Sequence, residues 1–381
     1  MSGRTDETHD LFRAAFRDFV ATEMTPHFES WERAGIMDRE VYAKAGAHGF
    51  VGFNLPVSHG GGGSDDFWFN TIVNEELQYA GMGGAGNGMT LVNDILAPYF
   101  AELCNDEQRD RWLPGLASGA LISAVAMTEP GTGSDLASIA TRAVRDGDEY
   151  VVNGAKTFIT NGINADLVIT VVRTDPDAGR HGLSLLVIER GMDGFERGRN
   201  LDKIGQKSAD TAELFFSDVR VPVANLLGEE GNAMAYLTSN LPQERLSIAI
   251  GGVAVAQAAL DWTVDYVKER TAFGARIADF QNTKFVLAEC ETELAVARPY
   301  VVDCVERHNA GELSASDAAK AKLWGTELQG RVTDKCLQLF GGYGFMTEYP
   351  IGVAYADARV ARIYGGTSEI MKTIIAKEVL G

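Results

Sequence analysis

The period of the hydrophobic pattern changes twice along this chain, and that limits the folds open to it. From residue 6 to about 120 apolar side chains recur every three or four positions, as on amphipathic helices. From about Leu121 they alternate, as on strands, and from about Leu241 the helical spacing returns to the end. Chains that mix strands and helices turn by turn build parallel sheets, whereas segregated blocks build separate layers or domains. The expectation is an α+β multidomain protein: an N-terminal all-α domain (1–120), a central small β-barrel (121–232) and a C-terminal four-helix bundle (233–381).

In the first block, Leu11, Phe12, Ala15, Phe16 and Phe19 mark a helix ending near Pro26. Further helices are expected over Arg39–Ala47, Phe67–Tyr79 and Thr90–Glu102. Two glycine motifs here mimic ligand sites. His59-Gly60-Gly61-Gly62 imitates a hydrolase oxyanion loop, but no G-x-S-x-G elbow accompanies it. Gly81-Met82-Gly83-Gly84-Ala85-Gly86 spells G-x-G-x-x-G but follows a helix, whereas a dinucleotide fingerprint follows a strand. These glycines read as a helix stop.

In the second block, L-I-S-A-V-A-M-T breaks at Pro130-Gly131. Asp146-Gly147 and Asn153-Gly154 read as tight turns between strands. Leu167–Val172, Leu183–Ile188 and Ala212–Phe216 continue the set. In the third block, Leu246, Ile250, Val253, Leu260, Val264 and Val267 line a long helix expected from about Leu241. Leu287, Cys290, Leu294, Ala297, Val301 and Cys304 form a packed seam on the next.

Net charge is −19, from 34 basic and 53 acidic residues, with no Lys/Arg cluster, which argues against nucleic acid. No run looks long and apolar enough to insert into a membrane. The start, M-S-G-R-T-D-E-T-H-D, has neither a secretory nor a transit character, and a cytoplasmic location is expected. The four cysteines lack C-x-x-C spacing, so no metal site is assigned and all four read as core thiols.

Three stretches carry chemistry. A126-M-T-E-P-G-T-G-S-D135 ends a strand in a glycine-rich turn bearing hydroxyls. K203-I-G-Q-K-S-A-D-T211 leads into another strand. I363-Y-G-G-T-S-E-I-M-K372 bends at two glycines before a helix that Thr367 can cap. Together they resemble signatures of the acyl-CoA dehydrogenases, namely A-M-T-E-P-x-x-G-S-D, K-x-G-x-[RK]-x-S-D-T and I-Y-x-G-T. Ser208-Ala209-Asp210 departs slightly from the second.

The resemblance implies a homotetrameric FAD enzyme that oxidises a saturated acyl-CoA to the trans-2-enoyl-CoA and passes electrons to an electron-transfer flavoprotein. It implies that Met127 and Thr128 face the flavin pyrimidine. Gly133 and Ser134 would lie near the cofactor phosphates or, for Ser134, the substrate. Phe158, Ile159 and Thr160 would flank the isoalloxazine, with Phe158 standing where the family often has tryptophan. Arg270, Phe273 and Gln281, with Gln338, Gly341 and Gly342, would reach the FAD of a neighbouring subunit. Thr367 and Glu369 would contact FAD, and Arg245, Tyr364, Gly365 and Gly366 the substrate.

The I-Y-x-G-T loop often carries the catalytic glutamate at x, but here x is Gly365. A glycine can give its backbone N–H to a thioester carbonyl; it cannot take a proton. The isovaleryl and long-chain branches instead place the glutamate in the string matching Pro242-Gln243-Glu244-Arg245, and Glu244 is the implied base, with Glu369 a weaker rival because the family position it matches contacts FAD. Two rival readings are a same-fold oxidase that uses O₂ and a non-catalytic flavoprotein, the second disfavoured by the acidic charge.

Overall fold

The computed structural model describes residues 5–381. Seven α-helices make up the first block: α1 (Glu7–Phe19), α2 (Phe28–Ala34), α3 (Glu40–Ala47), α4 (Trp68–Tyr79), α5 (Gly83–Thr90), α6 (Ala97–Leu103) and α7 (Asp106–Ala117). Asp6 caps α1 by accepting the N–H groups of Thr8 and His9, and the His9 ring accepts the Asp6 N–H in return. The apolar face of α1 buries Phe16 and Phe19 against Phe50.

The glycine run turns out differently from expectation. Gly81, at φ +72°, stops α4, but Gly83–Thr90 is itself helical. Four glycines survive in a helix because neighbours press on it: a Cβ at Gly86 would meet Leu77, and one at Gly88 would meet the Tyr42 hydroxyl. A π-helical turn, Leu91–Leu96, follows α5. Such turns insert one extra residue and often mark functional sites.

The second block is one sheet of eight strands: β1 (Ser123–Ala126), β2 (Arg142–Asp146), β3 (Glu149–Thr160), β4 (Leu167–Arg173), β5 (Leu183–Glu189), β6 (Phe195–Asn200), β7 (Thr211–Pro222) and β8 (Leu226–Leu227). Their order is β6-β7-β3-β2-β4-β5-β8, with β1 parallel to β4. Asp146-Gly147 does turn between β2 and β3. Asn153-Gly154 does not: β3 runs through it, with a bulge against β7. Glycine is needed there because a Cβ would lie 2.5 Å from Thr141 Oγ1. With Phe195 its one large apolar residue, β6 shows no alternation in sequence.

The third block holds α8 (Ala233–Glu269), α9 (Gln281–Asn309), α10 (Ala315–Phe340), α11 (Pro350–Ala358) and α12 (Ser368–Leu380). The seam on α9 is as expected, with Cys290, Leu294, Ala297, Val301 and Cys304 buried. Two expectations about α8 are corrected. It begins at Ala233, eight residues before Leu241, with Pro242 in its interior rather than at its start. It also contains a stretch long and apolar enough to span a bilayer, 67% of which is buried inside the protein. α8 and α10 cross almost backbone to backbone, since a Cβ at Gly252 would sit 3.0 Å from the Gly325 carbonyl.

Candidate active site

Glu244 projects from the middle of α8 and is only 3% exposed. The Tyr99 hydroxyl, from α6, donates to its Oε1 at 3.1 Å. Burial drives the carboxyl pKa up to about 7, against the smaller lowering effects of the Tyr99 hydrogen bond and the Arg245 charge. Because α8 starts three turns earlier, its N-terminal dipole does not hold Glu244 ionised. Neighbouring side chains fix this stretch of helix: Asn240 and Gln243 donate to the carbonyls of Ile95 and Asp94 in the π turn. Ser247 bonds the buried Asp94 carboxylate.

One turn beyond Glu244, Ile248 packs on Gly365 so closely that a Cβ there would collide with it. Gly365 has φ +61° and Gly366 +98°, conformations that glycine adopts without strain. The Arg245 Nε lies 3.5 Å from the Gly365 carbonyl. From α10, the buried Lys322 ammonium donates to the carbonyls of Ala361 (3.0 Å) and Gly366 (2.7 Å). Thr367 caps α12 by accepting the Ile370 N–H. Tyr364 is hydrogen-bonded to Gln206, and Glu369 is exposed in the first turn of α12. The structure thus brings Glu244, Arg245, Gly365 and Gly366 together.

A second group forms a shelf at the end of β1. Met127 and Thr128 are half-buried, and Thr128 accepts the Thr157 N–H from β3 at 2.9 Å. Phe158 stands out at φ +60° with 68% of its surface exposed, while Ile159 is buried and Thr160 half-buried. Lys156 lies beneath, fully buried, donating to the Met127 carbonyl and pairing with Glu129 at 2.9 Å. Glu129 also accepts the N–H groups of Ala140 and Thr141. Gly133 and Ser134 follow on an exposed loop, with open space at the Gly133 Cβ position.

A third group lines a cleft of about 860 Å³ that includes Arg270, Phe273, Gln338, Gly341 and Gly342. Arg270 stacks over Tyr343 at 5.4 Å, and the glycines leave open space at their Cβ positions. Gln281 is exposed at the start of α9, beside the lining residues Phe280 and Asn282. None of the shelf residues lines this cleft.

A shelf topped by a free aromatic face suits a flat heterocycle. A glycine-floored cleft with a guanidinium suits a diphosphate or nucleoside. The arrangement fits the class of flavoproteins, with a buried carboxylate, Glu244, beside a glycine turn. The comparisons identify which kind: residues 6–120, 124–219 and 231–380 match the N-terminal, middle and C-terminal domains of acyl-CoA dehydrogenase. The pig long-chain specific acyl-CoA dehydrogenase (Sus scrofa) is 46% identical over 98% of this chain and 86% of its own length. An acyl-CoA dehydrogenase from Geobacillus kaustophilus superposes with a TM-score of 0.97 at 48% identity, over 99% of this chain and all of that one. A glutaryl-CoA dehydrogenase from Mycobacterium smegmatis, solved with FADH2, superposes at 0.90 with 26% identity, over 98% and 95% of the two chains. The chain belongs to the acyl-CoA dehydrogenase family, whose cofactor is FAD.

Sequence reasoning missed Tyr99, Lys156, Glu129 and Lys322. Lysines among apolar residues in G-A-K-T, which follows T-E-P, and in A-A-K-A-K were the available signal, since a charge inside a buried pattern needs a polar partner.

Proposed function

We propose that this protein dehydrogenates a saturated acyl-CoA at Cα–Cβ, with Glu244 as the base. The observation that carries the reading is the buried Glu244 carboxyl, its pKa near 7, one helical turn from the residue packed on Gly365. A base working at neutral pH wants such a value, because it must be ionised yet still hold a proton. Tyr99 engages Oε1, which leaves Oε2 to receive the α-proton. The Gly365 N–H meets the thioester oxygen, where negative charge gathers as the proton leaves. Phe158, Thr128 and Thr160 would hold the flavin, and the cleft at Arg270 its adenosine end. The chemistry bound FAD supplies is acceptance of a hydride from the β-carbon.

An electron-transfer flavoprotein as acceptor, a homotetramer and a cytoplasmic location complete the reading. Family membership supports the first two. Uncovered apolar surface also supports assembly: Phe273, which lines the cleft, is 99% exposed, and Phe345, next in sequence to the lining residue Met346, is 84% exposed. Anaerobic titration with a panel of acyl-CoAs, short to long and branched, tests the activity through flavin bleaching. Glu244→Gln should retain FAD and bind acyl-CoA but bleach at least about 10²–10⁴-fold more slowly. Normal bleaching by this variant removes Glu244 from the role.

A further inference from the structure

The loop that receives the thioester is gripped from one side by α10. Lys322 ties Ala361 to Gly366 across the turn, through Nζ bonds of 3.0 and 2.7 Å. Five residues further along, Glu327 binds Arg362 at 3.0 Å and accepts the Ser368 hydroxyl at 2.8 Å. Both ends of the 361–368 segment are therefore anchored to one helix. Its middle, Gly365-Gly366, has no side chains of its own to hold it.

Lys322 is the more unusual of the two anchors. It is 1% exposed, and its bonded partners are two carbonyls rather than a carboxylate. The other charge acting on it is Arg245, which is also positive and faces the Gly365 carbonyl from α8. Glu327, the nearby acid on α10, is engaged by Arg362 and Ser368. The Lys322 Cε lies 3.4 Å from where a Gly365 Cβ would be, so the side chain passes directly under the peptide that faces substrate. A buried ammonium bonded only to dipoles, with a second cation nearby, is costly, and it favours any negative charge arising nearby.

We propose that Lys322 is a positioning residue for the reaction: by tying Ala361 to Gly366 from beneath, it holds the Gly365 N–H toward the thioester oxygen and places positive charge under that oxygen as the α-proton leaves. This rests on the functional reading above. The proton goes to Glu244 and the electron pair it leaves spreads onto the thioester oxygen, so the role needs no further reactant.

The test uses the FAD-loaded protein and a 3-thia-acyl-CoA, in which sulfur replaces the β-carbon. That compound can lose its α-proton but has no β-hydride to give, and its bound enolate is seen as a long-wavelength charge-transfer band with the flavin. In Lys322→Met the pH midpoint of the band should rise by about one unit or more, with kcat falling about tenfold or more. Melting temperature and FAD content should stay close to wild type. Lys322→Gln, which keeps a donor without the charge, should shift less, and it serves as the test variant if the methionine variant does not fold. A wild-type midpoint in the variant overturns the role, as does a fall in kcat that merely follows lost FAD. Wild-type protein showing neither the band nor bleaching by any acyl-CoA fells the functional reading, and the role of Lys322 with it.

Discussion

Lys156 under the shelf at the end of β1 and Lys322 under the Gly365-Gly366 turn are both buried, and both donate to loop carbonyls. Burial lowers both pKa values to about 8. They differ in company. Lys156 is paired with Glu129, whose carboxyl is in turn bonded by two backbone N–H groups, so the shelf is a closed neutral unit. Lys322 has carbonyls and the nearby Arg245, so the turn carries surplus positive charge. On the proposed reading, charge is balanced where the flavin would be held and left unbalanced where negative charge would form on the thioester oxygen.

The contrast is broken or upheld first by stability. Lys156→Met leaves Glu129 as a buried carboxylate without its cation and should cost about 3–5 kcal/mol in denaturant unfolding. Lys322→Met loses two hydrogen bonds but also stops burying an ammonium whose pKa has fallen from 10.5 to about 8, worth roughly 3 kcal/mol. These offset, so its stability should lie within about 1 kcal/mol of wild type. Because the lysine pKa is depressed, the burial penalty is full below pH 8 and relieved as pH climbs toward 10.5. Lys322→Met should therefore fare best at neutral pH. Equal losses in the two variants would end the distinction.

The two carboxylates give the same contrast with opposite pH signs. The native state holds the Glu244 proton more tightly than the unfolded chain does, with a pKa near 7 against 4.5. Wild-type stability is therefore eroded as pH rises through that window, by roughly 3 kcal/mol. Glu244→Gln does not titrate, so its advantage over wild type should be absent near pH 4.5 and fully grown by pH 8. For Glu129 burial raises the pKa, but the bonds from Lys156, Thr141 and Ala140 more than outweigh it, and the net shift is downward. Its contribution is present above the unfolded pKa and lost as pH falls, so Glu129→Gln should hurt most at neutral pH. Urea unfolding at both pH values reads the two signs.

The exchange of a loop base for a helix base is a finer test of the turn. Gly365→Glu in a Glu244→Gly background puts a carboxylate back in the loop. The structure adds a condition that sequence could not supply, namely that Ile248 occupies the space. At φ +61° a side chain also costs about 1–3 kcal/mol. Little flavin reduction is expected from that double variant. Adding Ile248→Ala should recover about tenfold, the overpacking being worth about 1–3 kcal/mol. Equal rates with and without the alanine would mean that Ile248 does not guard the turn.

Much of this was legible in the chain. The three blocks followed from period alone, and Glu244 followed from the resemblance once Gly365 was seen to be no base. What escaped did so for physical reasons. Pro242 looked like a helix start because proline suits a first turn, yet α8 tolerates it internally and begins at Ala233. Asn153-Gly154 looked like a turn because the dipeptide permits one, but the strand needed glycine for its closeness to Thr141. Tyr99 is 145 positions from Glu244, Lys322 is 44 from Gly366, and no local spacing encodes such pairings.

Tyr99 gives the smallest predicted effect and the cleanest one. Its hydroxyl bonds Glu244 Oε1 and lowers that carboxyl's pKa, partly opposing burial. Tyr99→Phe keeps the ring in the core and removes only the donor. A hydrogen bond to a charged group is worth about 1.5–3 kcal/mol, so the Glu244 pKa should rise by about one unit. The acid limb of kcat/KM should move from near pH 7 toward 8, with little loss above the new value, where the carboxylate is ionised in both proteins. A loss of equal size at every pH would instead show that Tyr99 aligns the carboxylate without tuning it. On the shelf, Glu129 is fixed by several donors; Glu244, the proposed base, has one hydroxyl bond and the nearby Arg245 charge set against burial, a balance that would leave its carboxyl able to exchange a proton.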